Sequence, residues 1–280
     1  MTILHRPETL DEICMLLEEL DDAQVYGGGT AIEILRKQGV LFTDDLIDAG
    51  RIPELRVLEV SPEGVRVGAM VSVRRMETDP AIRRVVPLAS RTYGKVANPR
   101  VRNTATVGGN VAHGDYRLDP PTALMVLDAT VEVRSAQGAR TIAVRDFFTG
   151  FQETALEHDE VITALTVPAQ PAHSAGRFVK MSSLGENDWP SASTAALLTV
   201  ADGRRTLRLG LGALAPVPVY LALDISGMTA ERAVSEAVAA AEPLMDPIPD
   251  IRGSSDYKRR LGLVAVREAV SSVCEEFTHG

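Results

Sequence analysis

Two short glycine-rich segments, about 80 residues apart, are the features of this sequence best suited to chemistry. The first contains Gly27, Gly28 and Gly29, and the second contains Gly108 and Gly109. Because glycine has no side chain, backbone N–H groups in such segments can approach phosphate oxygens closely. Either segment alone would be an ordinary turn, since glycine pairs mark turns in most proteins. Together they predict the two halves of one anion-binding cradle.

The first segment fits neither of the two common nucleotide-binding patterns. A dinucleotide fingerprint needs G-x-G-x-x-G after a strand, and a P-loop needs a lysine directly after its last glycine. Here Gly29 is followed by Thr30 and Ala31. Backbone N–H groups can neutralise a diphosphate without arginine or lysine, which suits a chain with a formal net charge of -9.

The composition, with 45% hydrophobic and 24% charged residues in 280, is that of a soluble globular protein. No apolar run reaches the roughly 18 to 20 residues of a membrane span. Residues 1–6 lack the apolar core of a secretory signal, so the expected location is cytoplasmic. The basic residues are dispersed, which argues against a nucleic-acid partner. Lys258, Arg259 and Arg260 are expected to form a solvated helix face.

Cysteine usage limits the redox chemistry of the chain. Cys14 and Cys274 are the two cysteines, and each lies in an apolar stretch with a helical pattern. No C-x-x-C pair exists, so neither an iron–sulfur cluster nor a structural zinc site is expected here. If the protein does redox chemistry, its carrier must be organic or belong to a partner.

Hydrophobic periodicity predicts the elements that hold the first glycine segment. Residues from Thr9 to Leu20 predict a helix capped by Thr9, and Gln24 to Tyr26 predict a strand. Residues from Ala31 to Lys37 predict a second helix. A strand, a glycine segment and a helix in this order form an anion-binding arrangement.

Further patterns surround the second glycine segment. Short β-type alternations extend from Leu46 to Val73, and Asp79 to Tyr93 predicts one helix. A polar bend from Asn98 to Arg102 leads into the glycines. Asp119 precedes Pro120 and Pro121, which is good capping chemistry for a helix over 123–127.

The remaining patterns complete an α+β architecture. Two β-hairpins are predicted at 130–144 and 194–211, with a linker between them at 168–174. Two helices are predicted at 229–242 and 256–277.

Three stretches resemble one known family. They read GGGTAIEILRK, NPRVRNTATVGGNVAHGDYRLDPPTALMVLDATVEV and FFTGFQETALEHDEVITALTVP. They resemble the FAD-binding medium subunit of molybdenum hydroxylases, a family that includes the carbon monoxide dehydrogenase medium subunit and the flavin domain of xanthine dehydrogenase. The resemblance implies an α+β fold with a two-subdomain FAD-binding (PCMH-type) domain at 1–170, divided near 55. A smaller α+β C-terminal domain with a short antiparallel sheet and helices would follow at 174–280.

The resemblance also implies a set of cofactor-binding residues. Those on one side of the FAD diphosphate would be Gly27, Gly28, Gly29, Thr30, Ala31 and Ile32. Those on the other side would be Thr106, Gly108, Gly109 and Asn110, and the set further includes Ala105 and Ile162. No catalytic nucleophile, essential general acid or metal ligand is expected in this chain.

Three charged residues belong to the same implied set, each with an alternative. Asp119 would lie near the ribityl or ribose hydroxyls, or serve as a helix N-cap. Asp115 would either fix the turn after the second segment or reach the flavin. Lys180 would lie near the flavin ring, where a cation stabilises the reduced anionic form, or be a solvated strand lysine.

One stretch departs from the family pattern. Relatives commonly have two arginines where this chain has Leu184 and Gly185. Trp189, the single tryptophan, is expected to be a partly buried packing residue or to approach the flavin. His113 is expected to form hydrogen bonds within a loop rather than to act as a catalyst.

The function implied is that of the FAD-carrying oxidoreductase subunit of a molybdenum hydroxylase. A large subunit would carry the molybdenum-pterin and a small subunit two [2Fe–2S] clusters, in a heterohexamer built as a dimer of heterotrimers. The FAD would pass electrons to NAD, a quinone or oxygen. Two alternatives stay open: a self-sufficient FAD-dependent oxidoreductase of the same superfamily, and a non-enzymatic nucleotide-binding or assembly protein.

Overall fold

Short strands and helices alternate along the chain in a computed structural model that describes residues 2–279. The strands are β1 (Ile3–His5), β2 (Gln24–Tyr26), β3 (Asp45–Asp48), β4 (Leu58–Ser61), β5 (Gly64–Gly68), β6 (Thr130–Ser135), β7 (Gly138–Ala143), β8 (Phe148–Gly150), β9 (Glu153–Thr154), β10 (Val161–Pro168), β11 (Ser174–Met181), β12 (Ala192–Ala201), β13 (Arg204–Gly212) and β14 (Val219–Asp224). The helices are α1 (Leu10–Glu19), α2 (Ile32–Lys37), α3 (Val73–Thr78), α4 (Pro80–Val85), α5 (Pro87–Tyr93), α6 (Pro99–Thr104), α7 (Val107–Ala112), α8 (Pro120–Val126), α9 (Val144–Phe147), α10 (Ala230–Ala241) and α11 (Ser255–His279). Most of the helices are too short to be stable alone, so tertiary packing stabilises them.

The strands of the described residues form three larger sheets and the small β8–β9 pair. The first sheet is parallel, with the strand order β1–β3–β2. The second and third sheets are antiparallel, with the orders β4–β5–β10–β6–β7 and β11–β12–β13–β14. The two hairpins predicted from the sequence are confirmed as β6–β7 and β12–β13.

Strand β12 lies between two hydrophobic cores. Its Ala195 and Leu197 belong to the first core, which is shared with the elements around the glycine segments. Its Ala196 and Leu198 belong to the second core, which is shared with α10 and α11. Because successive side chains of a strand point to opposite faces, one strand contributes to both cores. The α+β class inferred from the sequence is therefore confirmed.

Proline divides the helix predicted between Asp79 and Tyr93. α4 ends at Val85, and α5 begins at Pro87 after a non-helical Val86. A proline inside a helix lacks the N–H that would bond the preceding turn, so the helix stops before it. The side chain of Asp79 accepts hydrogen bonds from the N–H groups at the start of α4, which fixes that helix end.

Two other local predictions are wrong. Val73, expected in a strand, is the first residue of α3, because Ser72 caps this helix by accepting from the Arg75 N–H. The stretch that begins at Asn98 is not a bend, since Asn98 caps α6 and Pro99 is its first residue. Proline is favoured at the first helical position, where its missing N–H costs nothing.

Lys258 also differs from its expected place on a solvated face. It is fully buried, and its Nζ donates to the Asp250 carboxylate at 2.7 Å and to the Ile248 carbonyl at 2.8 Å. Cys14 and Cys274 lie in α1 and α11 as predicted, and both are buried.

Gly210 of β13 offers a test of the packing between the third sheet and α8. A Cβ added at Gly210 would lie 2.2 Å from the carbonyl oxygen of Thr122. We expect Gly210→Ala to lower the free energy of unfolding by about 1 to 3 kcal/mol, because backbone must shift. Urea denaturation measures the change. Gly185→Ala is the control, since its added Cβ meets nothing within 4 Å; equal destabilisation of the two variants would contradict this packing.

Candidate cofactor-binding site

The two glycine segments lie directly against each other in the fold. A Cβ added at Gly28 would be 2.0 Å from the carbonyl oxygen of Thr104, and one added at Gly27 would be 2.9 Å from Thr106 Oγ1. Side chains at these positions would collide with backbone and with a buried hydroxyl. The glycines are therefore required for the contact between the segments.

The first segment presents a row of unpaired backbone donors. Among residues 2–279, no N–H group from Gly27 to Ile32 donates a hydrogen bond. Gly29 has a φ of +69°, a conformation that favours glycine and turns the chain into α2. Thr30, Ala31 and Ile32 are partly exposed, whereas Gly29 is buried. Successive free N–H groups in a turn form a concave anion-binding nest.

The second segment is a helix start rather than a loop. Thr106 caps α7 by accepting from the Gly109 N–H at 3.2 Å, and the Gly108 N–H donates to the Ala69 carbonyl at 2.9 Å. A Cβ at Gly108 would be 2.5 Å from that of Ala69, so this glycine is needed for packing. The glycine N–H groups here are already paired, which corrects the expectation of two equivalent halves.

A small cavity of about 90 Å³ lies between the segments. The predicted site residues that line it are Gly27, Thr106, Gly108, Gly109 and Ile162. Sequence reasoning missed its other lining residues, which include Ala69, Met70, Ala112, Leu156 and Glu160. They come from different elements and share no local motif, so no pattern in the sequence could have identified them. Ala105 is buried beside Thr106 but does not line the cavity.

Two buried side-chain oxygens near this region have no hydrogen-bond partner in the described residues. They are Oδ1 of Asn110, on α7, and Oδ1 of Asp119, at the start of α8. Leaving a buried acceptor unpaired costs about 1 to 3 kcal/mol, so such atoms in a native protein call for a ligand or water partner. Both residues belong to the set predicted from the sequence.

Asp119 and Lys180 form a buried ion pair. Lys180 Nζ lies 2.7 Å from Asp119 Oδ2, with side-chain exposures of 6% and 5%, and also donates to the Lys95 carbonyl at 2.9 Å. The alternative of a solvated lysine is therefore wrong. The Asp119 side chain makes no capping hydrogen bond to α8, so the N-cap alternative also fails. Burial raises the pKa of Asp119 to about 6, although the nearby Lys180 ammonium acts in the opposite direction.

Asp115 is buried and fully engaged by Arg117. The guanidinium donates to both carboxylate oxygens at 2.9 and 2.6 Å, and the Arg117 N–H donates at 2.8 Å. Although burial opposes ionisation, these hydrogen bonds keep the pKa of Asp115 below its usual value. Asp115 thus fixes the turn after α7, the first of its two predicted roles.

Arg117 lies between two aromatic rings, at 5.2 Å from the Tyr116 centroid and 5.1 Å from that of Trp189. Trp189 is partly buried and packs against the first core, and its ring centroid is 6.4 Å from that of His113. Burial lowers the pKa of His113, which favours the neutral imidazole. Sequence reasoning missed the role of Arg117, because Tyr116 precedes it directly while Trp189 lies far along the chain.

A second charged cluster links the C-terminal helix to this region. Arg252 donates to the Asp188 carboxylate at 2.7 and 3.0 Å. Asp250 pairs with the buried Lys258 at 2.7 Å and lies 3.7 Å from Arg117. These contacts join the turn after α7, the segment before β12 and the start of α11.

Within residues 2–279 there is no group of three or more His, Cys, Asp or Glu side chains placed to hold a metal ion. No helix in this range is both long enough and apolar enough to cross a bilayer.

Comparison with known proteins gives consistent matches. Residues 1–170 match the family described as the FAD binding domain in molybdopterin dehydrogenase. The chain is 31% identical over 271 residues to the nicotine 6-hydroxylase medium subunit of Paenarthrobacter nicotinovorans, covering 94% of each chain. It is 29% identical over 273 residues to the carbon monoxide dehydrogenase medium chain of Afipia carboxidovorans, covering 95% of this chain and 94% of that protein.

Solved structures are similar over almost the full length. The fold superposes on a chain of the reconstituted CO dehydrogenase from Oligotropha carboxidovorans with a TM-score of 0.92 and 28% identity, covering 98% of each chain. It superposes on a chain of quinoline 2-oxidoreductase from Pseudomonas putida 86 with a TM-score of 0.88 and 27% identity, covering 99% of this chain and 98% of that chain.

The raised pKa of Asp119 predicts a pH dependence of stability in the FAD-free chain. Because the pKa of Asp119 rises from 3.8 to about 6 on folding, the folded state binds more protons between these pH values. The free energy of unfolding then decreases as pH rises through this range, by up to about 3 kcal/mol. Urea unfolding of the wild type and Asp119→Asn across this range measures it. The prediction would be contradicted if the difference in free energy of unfolding between the wild type and Asp119→Asn were the same at every pH in this range.

Proposed function

Because this chain belongs to the family of FAD-binding domains of molybdopterin dehydrogenases, an oxidoreductase family, we propose that it holds FAD as an electron relay in a multi-subunit molybdenum hydroxylase. The relay would connect two [2Fe–2S] clusters of a small subunit to an external acceptor. When bound, FAD exchanges single electrons as well as electron pairs, which such a relay requires. The residues of this chain bind it, orient it and adjust its potential.

The row of unpaired N–H groups from Gly27 to Ile32 is the observation that carries the proposal. These donors suit the two negative charges of the FAD diphosphate, because backbone N–H groups bind phosphate oxygens without basic side chains. Thr106, Gly108 and Gly109 form the opposite wall of the cavity, where glycine leaves room for the diphosphate. The first segment thus supplies hydrogen bonds, and the second supplies close approach.

The two orphaned oxygens fit the hydroxyl groups of FAD. Asn110 Oδ1 and Asp119 Oδ1 are buried acceptors, and the ribityl chain and ribose are rich in O–H donors. A carboxylate that accepts from a hydroxyl makes a strong, charge-assisted hydrogen bond. Lys180 holds the other oxygen of Asp119 at 2.7 Å, so the carboxylate is fixed in orientation before the cofactor binds.

Lys180 would act on the flavin ring through its charge. Its ammonium is almost fully buried, so its field is screened less than that of a surface lysine. A cation placed beside the ring favours the reduced, anionic form over the oxidised one. Lys180 therefore raises the reduction potential of the bound FAD.

The domain division remains a proposal. We assign the FAD-binding domain to residues 1–170, in two subdomains that meet near residue 55, and the C-terminal domain to residues 174–280. The family match, which covers residues 1–170, supports the first boundary.

The partners are proposed from the names of relatives. Two of these relatives are described as a medium subunit and a medium chain, which implies larger and smaller companions. We propose a large subunit with molybdenum-pterin and a small subunit with two [2Fe–2S] clusters. They would assemble in the cytoplasm as a dimer of heterotrimers and deliver electrons to NAD, a quinone or oxygen. A purified complex that is colourless in the flavin bands yet fully active with an acceptor would overturn the proposed function.

Gly109 gives the cleanest test of the cradle. Its added Cβ would meet only Thr106 Oγ1, at 2.9 Å, and it lines the cavity, whereas Gly108 packs against Ala69. We expect Gly109→Leu to lower the FAD content at least about ten-fold, because the side chain fills the diphosphate position. Flavin absorbance per chain measures it. Gly185→Leu is the control, and full FAD content in Gly109→Leu would contradict the assignment.

Lys180 gives a test of the electrostatic role. We expect Lys180→Met to shift the flavin reduction potential to a more negative value, because the cation that favours the reduced form is removed. Lys180→Arg keeps the charge and should retain most of the wild-type potential. Spectroscopic redox titration of the FAD-loaded chain measures both variants. Equal potentials in the wild type and Lys180→Met would contradict a flavin-facing lysine.

A further inference from the structure

A long groove follows the free edge of β11, between α5 and α11. Its volume is about 1140 Å³, and residues 176–182 form one of its sides. It shares no lining residue with the cavity between the glycine segments. Within the described part of the chain, β11 pairs with β12 and with no other strand, so its second edge faces the groove.

The backbone of this edge is largely unpaired. The Met181 carbonyl accepts from the Ser191 N–H, on the β12 side, whereas the Gly176 carbonyl accepts from the Arg91 guanidinium at 2.7 Å. Because backbone groups alternate in direction along a strand, Phe178 and Lys180 present theirs on the Gly176 side. Among residues 2–279, no group outside the sheet bonds the backbone of either residue. Unpaired strand edges bind extended polypeptides by strand addition.

One wall of the groove is mainly basic. Arg83, Arg91 and Lys95 line the side formed around α5, and none of them forms a salt bridge within residues 2–279. Glu77, which also lines this side, is already paired with Arg74 and Arg102. Burial lowers the pKa of the Arg91 guanidinium; Glu276 opposes this shift, and the like charge of Arg177 adds to it. Cations that lack a carboxylate partner attract an anion that enters the groove.

The opposite wall is acidic. It is formed by α11, whose carboxylates in the lining are Glu268, Glu275 and Glu276. Glu268 lies 3.9 Å from Arg177, while Glu275 and Glu276 have no salt bridge in the described residues. Walls of opposite charge disfavour a small anion and favour a ligand with both signs of charge.

The two walls lie over opposite faces of the sheet. Val179 belongs to the core on the α11 side, whereas Phe178 packs with the core on the α5 side. A strand added beside β11 would direct alternate side chains to these two faces. Its acidic residues would meet Arg91, and the basic residues between them would meet Glu275 and Glu276. Strand addition thus accounts for both the free edge and the charge pattern.

We propose that an extended segment of the iron–sulfur subunit, with alternating acidic and basic residues, binds in this groove as a fifth strand of the four-stranded sheet. Lys180 lines the groove and holds Asp119, which the proposed function places at the flavin. A segment bound here brings its subunit beside the flavin, as electron transfer between the two requires. The inference rests on the proposed function for the identity of this partner.

Amide-resolved hydrogen exchange on the FAD-loaded chain tests strand addition directly. Adding the purified iron–sulfur subunit should slow exchange of the Phe178 and Lys180 amides at least about ten-fold, while Arg177 and Val179, which face β12, change little. A complex that forms without this slowing overturns the inference and leaves the proposed function intact. A chain that binds no iron–sulfur subunit at all overturns both. Protection of these amides by the molybdenum subunit alone overturns the assigned occupant.

Charge-reversal variants test the walls. Arg91→Glu and Glu276→Arg should each weaken binding of the iron–sulfur subunit at least about ten-fold, with FAD content unchanged. Arg232→Glu is the control, because Arg232 is an exposed arginine of α10 outside the groove. If the Arg91→Glu protein does not fold, Arg83→Glu tests the basic wall in its place. Wild-type affinity in both basic-wall variants overturns the inference.

Discussion

The backbone contact between the two glycine segments is the constraint on which the cofactor site depends. Gly28 lies so close to the Thr104 carbonyl that no Cβ fits, and Gly108 is pressed in the same way against Ala69. These contacts place Gly27 across the cavity from Gly108 and Gly109 in the first turn of α7. The two segments therefore have different roles. The first contributes unpaired backbone N–H donors, and the second, which lacks side chains at its glycines, contributes space for the ligand. A diphosphate can then be bound by a strongly acidic chain, because backbone donors need no compensating basic side chains.

Buried charge organises the region beyond the cradle. Lys180 joins β11 to the start of α8 through Asp119, and Arg117 and Asp250 join the turn after α7 to the start of α11. Buried ion pairs add little net stability, since desolvation offsets most of their attraction. They do penalise any arrangement that leaves one partner alone, so they specify how these segments meet. Asp119 shows this balance: Lys180 holds one oxygen of its carboxylate, and the other has no hydrogen-bond partner among residues 2–279.

Much of the fold could be predicted from short patterns. Thr9 caps α1 as its position suggested, and both long hairpins follow the alternation of their side chains. The failures have equally local causes. Pro87 interrupts a helix that hydrophobic spacing alone would continue, and the second glycine pair lies in a helix because Thr106 caps it. Of the site, the sequence and its family resemblance predicted a residue set, but not the pairing of Asp119 with Lys180 or of Asp115 with Arg117.

The sequence by itself determined the α+β class, the positions of the glycines and the absence of any cysteine pair for a cluster. These properties depend on residue type and on spacing over a few positions, which a sequence displays directly. Only the tertiary structure decided which N–H groups remain free, which carboxylates are buried and where the edge of β11 opens into a charged groove. Those features arise where segments far apart in the chain exclude water from one another, and no local pattern records which segments will meet.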